Sequence, residues 1–124
     1  MKREPNLIRE ILLFVEQQPV GFGVSSLDID GYGKDIICEH VRLLEEANYI
    51  EAQINCSPNH MGEIVVRSYN ISRLLNPGHD FIADAKNEII WKQSINHIKE
   101  KGVDVSLAVL KGVLTLKAKE HLGL

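Results

Sequence analysis

Val41-Arg42-Leu43-Leu44-Glu45-Glu46-Ala47-Asn48-Tyr49-Ile50-Glu51-Ala52-Gln53-Ile54-Asn55-Cys56 decides the fold, because the hydrophobic period changes inside it. Upstream of Asn48 the apolar residues keep helical spacing. Ile36, Ile37, Val41, Leu44 and Ala47 make one stripe, with Leu43 on its flank. A helix is therefore expected from about Gly33 to Ala47. After Gly, Asn is the residue that best tolerates left-handed geometry, so Asn48 followed by Tyr49-Ile50 reads as a C-cap. From Ile50 the period is two: Ile50, Ala52, Ile54 and Cys56 share one face, while Glu51, Gln53 and Asn55 share the other. Turn residues over Ser57–Gly62 and a return rich in Val, Tyr and Ile from Ile64 to Ile71 complete a β-hairpin with a loop of about six residues.

Towards the N-terminus, Ile8, Ile11, Leu12 and Val15 fall on one helical face, widened by Leu7 and Phe14. They predict a helix over about Leu7–Gln17 with Asn6 as N-cap, stopped by Gln18-Pro19. Val24–Ile29 reads as a short strand ending in the turn Asp30-Gly31. Towards the C-terminus, Asn76-Pro77 reads as an N-cap with Pro at the first helical position, followed by Phe81, Ile82 and Ala85 on one face. A further helix covers Glu88–Lys101, with Trp91, Ile95 and Ile98 together and Gly102 as stop; Trp91 is expected to be buried. Asp104 or Ser106 would cap a last continuous helix over residues 105–121, whose face is Leu107, Leu110, Leu114 and Ala118. Gly112 inside it weakens the helix by about 1 kcal/mol relative to Ala.

The chain has 124 residues, 44% of them hydrophobic and 25% charged, which suffices for one proper core without metal or disulfide staples. No apolar run approaches the ~18 residues of a membrane span. The start, Met1-Lys2-Arg3-Glu4-Pro5, lacks a signal-peptide pattern, and two cysteines are too few for a secreted disulfide scaffold. A cytoplasmic protein without membrane association is the expectation. Charge divides unevenly: residues 1–80 carry seven Lys and Arg against twelve Asp and Glu, and residues 81–124 carry seven against five. The average field of the first region repels phosphate, so nucleic-acid binding there needs a local basic patch.

Helix, short strand, helix and hairpin follow the order of a winged helix, a helix-turn-helix variant whose hairpin is the wing. Arg42–Ile50 resembles the end of a winged-helix recognition helix leading into the wing, with Asn48 in place of Gly. Between Asp30 and Gly33 there is room for one turn at most, so the additional helix of a standard winged helix is missing. Over nearly its full length the chain is similar to the bacterial and phage family called domain of unknown function 2513. The matching stretches are Met1-Lys2-Arg3 with Leu7-Ile8-Arg9, Asp28–Tyr32, His40–Leu44, Gly78–Ile82, Trp91 and the closing Lys119–Leu124. The resemblance departs at Leu74-Leu75, where the family usually has Leu-Thr. It implies a winged-helix-like fold and a phage or mobile-element setting, and it carries no activity, substrate or site.

The expected architecture is α+β: a winged-helix-like module at residues 1–75 and a helical C-terminal extension at 76–124 packed on it. The nucleic-acid contacts expected are Lys34 and Arg42 on the second helix and Asn59, His60 and Arg67 on the wing, with Lys2, Arg3 and Arg9 as a basic rim. The outward positions of the second helix should include Lys34, Asp35, Cys38, Glu39, Arg42, Glu45 and Glu46, a set poor in positive charge for a major-groove helix. His40, Asn48 and Trp91 are structural, with His40 expected half-buried and bonded to backbone.

Other chemistry is set aside. Asp28, Asp30, Gly33 and Glu39 match positions of a calcium loop, but Tyr32 and Asp35 break it and a strand precedes it. Cys56 and His60, with Cys38, His40 and His79 as candidates that could lie near in space, supply one close ligand pair where structural zinc usually shows two. Cys56, on the apolar strand face, reads as a small hydrophobe. No nucleophile with a visible base and no phosphate loop is present, so neither an enzyme nor a cofactor is expected. The function read from the residues is DNA binding in regulation, or alternatively a protein-interaction or dimerisation module; the Trp91 and Leu107–Ala118 stripes could form a homodimer seam.

Overall fold

A computed structural model of the chain describes residues 1–102 and 105–124. Among these residues it holds five helices and one two-stranded antiparallel sheet. They run α1 (Pro5–Glu16), α2 (Lys34–Glu46), β1 (Ile50–Pro58), β2 (Ile64–Leu74), α3 (Asn76–Ala85), α4 (Glu88–Lys101) and α5 (Leu107–Leu122). The fold class is α+β, and the order is consistent with a winged-helix-like arrangement. The chain divides into two compact units, Met1–His79 and Asp80–Leu124.

In the first unit α1 starts two residues before the expected Leu7. Pro5 occupies its first turn, and Glu4 takes the cap position without a side-chain bond, so Asn6 is inside the helix rather than capping it. Proline explains this: its φ is already helical, and an N–H is not needed there. Leu7, Ile8, Ile11, Leu12 and Val15 are buried, whereas Phe14, expected to widen the stripe, is 42% exposed.

The strand expected at Val24–Ile29 shrinks to one bridge. Val24 and Ile71 exchange both main-chain bonds at 2.8 Å. Three residues on, the Leu27 N–H donates to the Tyr69 hydroxyl at 2.9 Å, so a side chain stands where a ladder partner would. Gly23 lies where a Cβ would collide with the Asn70 side chain. Residues 25–33 contain no helix.

Helix α2 ends as its sequence suggests. Asn48 has φ 61°, Asn48 N–H donates to Glu45 O and Tyr49 N–H to Leu44 O, both at 3.0 Å. This pair of bonds is a Schellman cap, and it delivers Tyr49 and Ile50, both buried, to the start of β1.

The hairpin register carries two shifts. Glu51 pairs with Arg73 and Ala52 with Ile71, leaving Ser72 over; Asn55 pairs with Ser68 and Cys56 with Val66, leaving Arg67 over. An extra residue of this kind bends a strand and turns a side chain. Buried positions on β2 are consequently Val66, Tyr69, Ile71 and Leu74. Cys56, expected on the apolar face, is exposed beside the second shift. The connecting loop spans residues 59–63, one shorter than expected, because the strands run on to Pro58 and begin again at Ile64. At the end of the unit Asn76 is already helical rather than a cap: Leu75 O accepts the first helical bond, from His79 N at 3.0 Å. Leu75 N–H donates to Tyr49 O at 2.9 Å, and a Cβ on Gly78 would collide with that same carbonyl.

The second unit is helical. Phe81, Ile82 and Ala85 of α3, Ile90, Trp91 and Ile98 of α4, and Leu110 and Leu114 of α5 are buried. The rings of Phe81 and Trp91 meet edge to face with centroids 6.4 Å apart. Asn87 caps α4 by accepting from Ile89 and Ile90 N–H, and Ser106 caps α5 by accepting from Val109 N–H. The alternative cap Asp104 lies outside the described residues. With Ser106 as cap, α5 begins at Leu107 rather than 105. Lys111 Nζ lies 3.1 Å from Asp84 Oδ2 and donates to Asp80 O at 3.2 Å, fixing α5 against α3.

Candidate nucleic-acid interface

Lys34 and Asp35 are exposed at the start of α2 and Glu46 at its end, while Glu39, Arg42 and Glu45 are partly covered. Cys38, expected to face outward, is 3% exposed. It is turned inward because residues 25–28 and β2 close over the start of the helix. Burial raises its thiol pKa, Asp35 and Glu39 push the same way and Lys34 opposes them, so Cys38 is a neutral thiol at ordinary pH.

The basic residues of α2 and the hairpin differ sharply in how they are compensated. Arg42 lies between two carboxylates of its own helix, its Nε donating to Glu46 at 3.2 Å and its Nη1 3.9 Å from Glu39. Arg73 pairs with Glu51 at 3.5 Å. Lys34 and Arg67 have no carboxylate partner among the described residues. Arg67, the residue left over by the register shift, donates from Nε to Ser57 Oγ and from Nη2 to Pro58 O, each at 2.9 Å. Both acceptors are neutral, so the guanidinium is held in place with its charge uncompensated.

The other wing residues serve the loop. Asn59 Oδ1 accepts from Met61 N–H at 2.9 Å and Glu63 N–H at 3.0 Å, which closes the turn. His60 is exposed at its tip.

Lys34 and Arg67 line the same groove, a space of 460 Å³ walled by Ser25, Ser26, Asp28 and Ser68, with Cys38 and Tyr69 on its buried side. Tyr69 is 8% exposed, and its hydroxyl accepts from Leu27 N–H. Burial raises its pKa and the nearby Cys38 adds to this, while the Leu27 bond opposes both. The phenol therefore keeps its proton, and among the described residues that proton has no acceptor. Sequence reasoning missed this groove. Tyr69 read only as a strand residue, and nothing in Ser25-Ser26 marks a wall; only the spatial closure of 25–28 onto β2 joins them.

The structural residues fall as follows. His40, expected half-buried, is 0% exposed, with Nδ1 2.8 Å from Ile36 O and Nε2 accepting from Glu4 N–H at 2.9 Å. Asn48 forms the α2 cap, and Trp91 is 4% exposed. Among the described residues no group of three or more His, Cys, Asp or Glu side chains could hold a metal ion, and no helix is long and apolar enough to cross a membrane.

Residues 2–104 match the family model described as "Hypothetical protein (DUF2513)". The chain belongs to the DUF2513 family. An uncharacterized protein of Haemophilus influenzae is 35% identical to this DUF2513 member over 115 residues, covering 91% of this chain and 92% of the relative. No solved structure matches.

Proposed function

We propose that this DUF2513 protein is a non-enzymatic, winged-helix-like DNA-binding protein acting in regulation, in a phage or mobile-element setting. The reading is carried by the uncompensated charges of Lys34 and Arg67, one at the start of α2 and one on the hairpin. These are the two elements that a helix-turn-helix variant with a wing presents to DNA. The rest of the exposed face of α2 is acidic or, at Arg42, already paired. Contact is therefore through the start of the helix and the wing, and α2 does not lie lengthwise in the major groove. Duplex binding measured at low and moderate salt tests this. Affinity should fall with a log–log slope of about −0.9 per phosphate neutralised. Arg67→Ala should weaken binding, whereas Arg42→Ala and Glu45→Ala should change it little. Absence of binding to mixed genomic DNA at low salt ends the proposal.

A second reading, a protein-interaction module, is favoured by one observation. Val20 and Phe22 stand exposed in the turn after α1, and Phe14 is partly exposed on the helix itself. A homodimer would use Val109 and Leu116, each 47% exposed on α5, because Leu110 and Leu114 are already buried within their unit. Sedimentation of a monomer at high concentration removes the homodimer.

A further inference from the structure

We infer that the groove between residues 25–28, the start of α2 and β2 holds one phosphodiester of the bound duplex. Lys34 and Arg67 supply the charge, and the hydroxyl of the largely buried Tyr69 supplies a fixed donor. The inference rests on the DNA reading above and names the point of contact.

Three observations converge on it. Of the four Lys and Arg side chains on α2 and the hairpin, Arg42 and Arg73 are spent on carboxylates of the same unit. The two that remain, Lys34 and Arg67, line one groove rather than being scattered over the surface. Arg67 is immobilised at Ser57 and Pro58 through Nε and Nη2, which leaves the N–H groups of Nη1 for a ligand. Tyr69 points the same way. The residue is 8% exposed, and its hydroxyl is protonated and without an acceptor for its proton among the described residues, a condition that a covered donor normally avoids. A phosphate oxygen in the groove would satisfy it.

Charge selects the kind of phosphate. Asp28 also lines the groove, so its two cations and one anion leave one net positive charge. That matches the single negative charge of a phosphodiester, while a dianionic monoester would be undercompensated and would face the Asp28 carboxylate. Size agrees: 460 Å³ is many times the ~30 Å³ share of a water molecule, with space for a phosphate and the sugars flanking it. The hydroxyls of Ser25, Ser26 and Ser68 surround the position without fixing charge.

The test is an amide-resolved NMR titration of the intact chain with a short duplex, beside a fluorescence-anisotropy salt series and a parallel titration with inorganic phosphate. Duplex should shift the amides of Ser25, Ser26, Lys34, Arg67 and Tyr69. Lys34→Gln and Arg67→Gln, both at exposed positions, should each weaken duplex binding and make the salt slope shallower by about 1. Lys34→Arg should restore the slope. Tyr69→Phe should weaken binding with the slope unchanged, because the donor it removes is neutral. Duplex binding with shifts confined to other faces and a full slope in Lys34→Gln overturns the groove and leaves DNA binding standing. Shifts produced by inorganic phosphate and not by duplex overturn the phosphodiester assignment. No duplex binding at low salt removes both readings.

Discussion

His40 Nε2 accepts the main-chain N–H of Glu4 at 2.9 Å, so a fully buried ring in the middle of α2 holds the residue that starts α1. Its Nδ1, 2.8 Å from Ile36 O, is the donor in this arrangement, which uses the neutral ring with its proton on Nδ1. One imidazole thus spans a turn of its own helix and the cap of another.

His40→Ala should destabilise the protein by about 2–4 kcal/mol. The Glu4 N–H, on an exposed residue, loses a bond of about 0.5–1.5 kcal/mol, and the cavity left by the fully buried ring adds the rest. Urea midpoints at constant m-value measure it. A change within 0.5 kcal/mol would show that the Glu4 cap contributes nothing.

Two glycines in helices should respond with opposite sign. Gly78→Ala would drive a methyl into the Tyr49 carbonyl, and overpacking of about 1–3 kcal/mol outweighs a helix-propensity gain of about 1. At Gly112 a methyl meets nothing within 4 Å, so Gly112→Ala should stabilise by about 0.5–1 kcal/mol. Thermal melts of both variants beside the parent decide the matter.

Ser94 is 0% exposed on α4, and its hydroxyl has no hydrogen-bond partner among the described residues. Replacing it with Ala removes an unsatisfied group and improves helix propensity. Ser94→Ala should raise stability by about 1 kcal/mol, and a loss of stability in chemical denaturation would refute the assignment.

Alkaline pH should weaken the fold more than it would if these side chains kept their ordinary pKa values. Burial raises the pKa of Cys38, Tyr49 and Tyr69 alike, and that of Tyr32 with help from Glu4 and Glu10. For a group raised in the folded state, the unfolded chain releases its proton first. The stabilisation is complete below the unfolded pKa and disappears as pH rises through the folded one. The decline begins past 9.0, the ordinary thiol value, and steepens past 10.0, the phenol value. Denaturant midpoints between pH 7 and 11 should follow this course, and Tyr69→Phe should flatten it.

The helices were legible because their signals are local. Period, the Asn48 cap and the Gly102 stop each depend on a few neighbouring residues, and α2 and α4 fall within a residue of expectation. What was not legible depends on partners distant in sequence. β2 buries positions at intervals of three, two and three, from Val66 through Tyr69 and Ile71 to Leu74, which no period-two pattern contains. The register shifts at Arg67 and Ser72 create those intervals. Val24 makes a bridge and no strand because Tyr69, forty-two residues past Leu27, takes the next ladder position. At α1 two local signals compete, Asn6 as a cap and Pro5 as a first-turn residue, and the proline sets the start. For the interface, Lys34 and Arg67 were identifiable as basic residues. Their shared groove, and the compensation of Arg42, exist only in three dimensions.

Arg67 occupies a position that the ladder does not count. Asn55 pairs with Ser68 and Cys56 with Val66 on either side of it, and two adjacent pairs can close directly upon each other. Changing or even deleting this residue therefore leaves the alternation of Val66 and Tyr69 in phase. The side chain held with its charge uncompensated thus sits where the strand pairing makes no demand on identity. The hairpin can therefore gain, lose or exchange a charge at that point without altering the pairs on either side, so surface chemistry and scaffold are separated at a single residue.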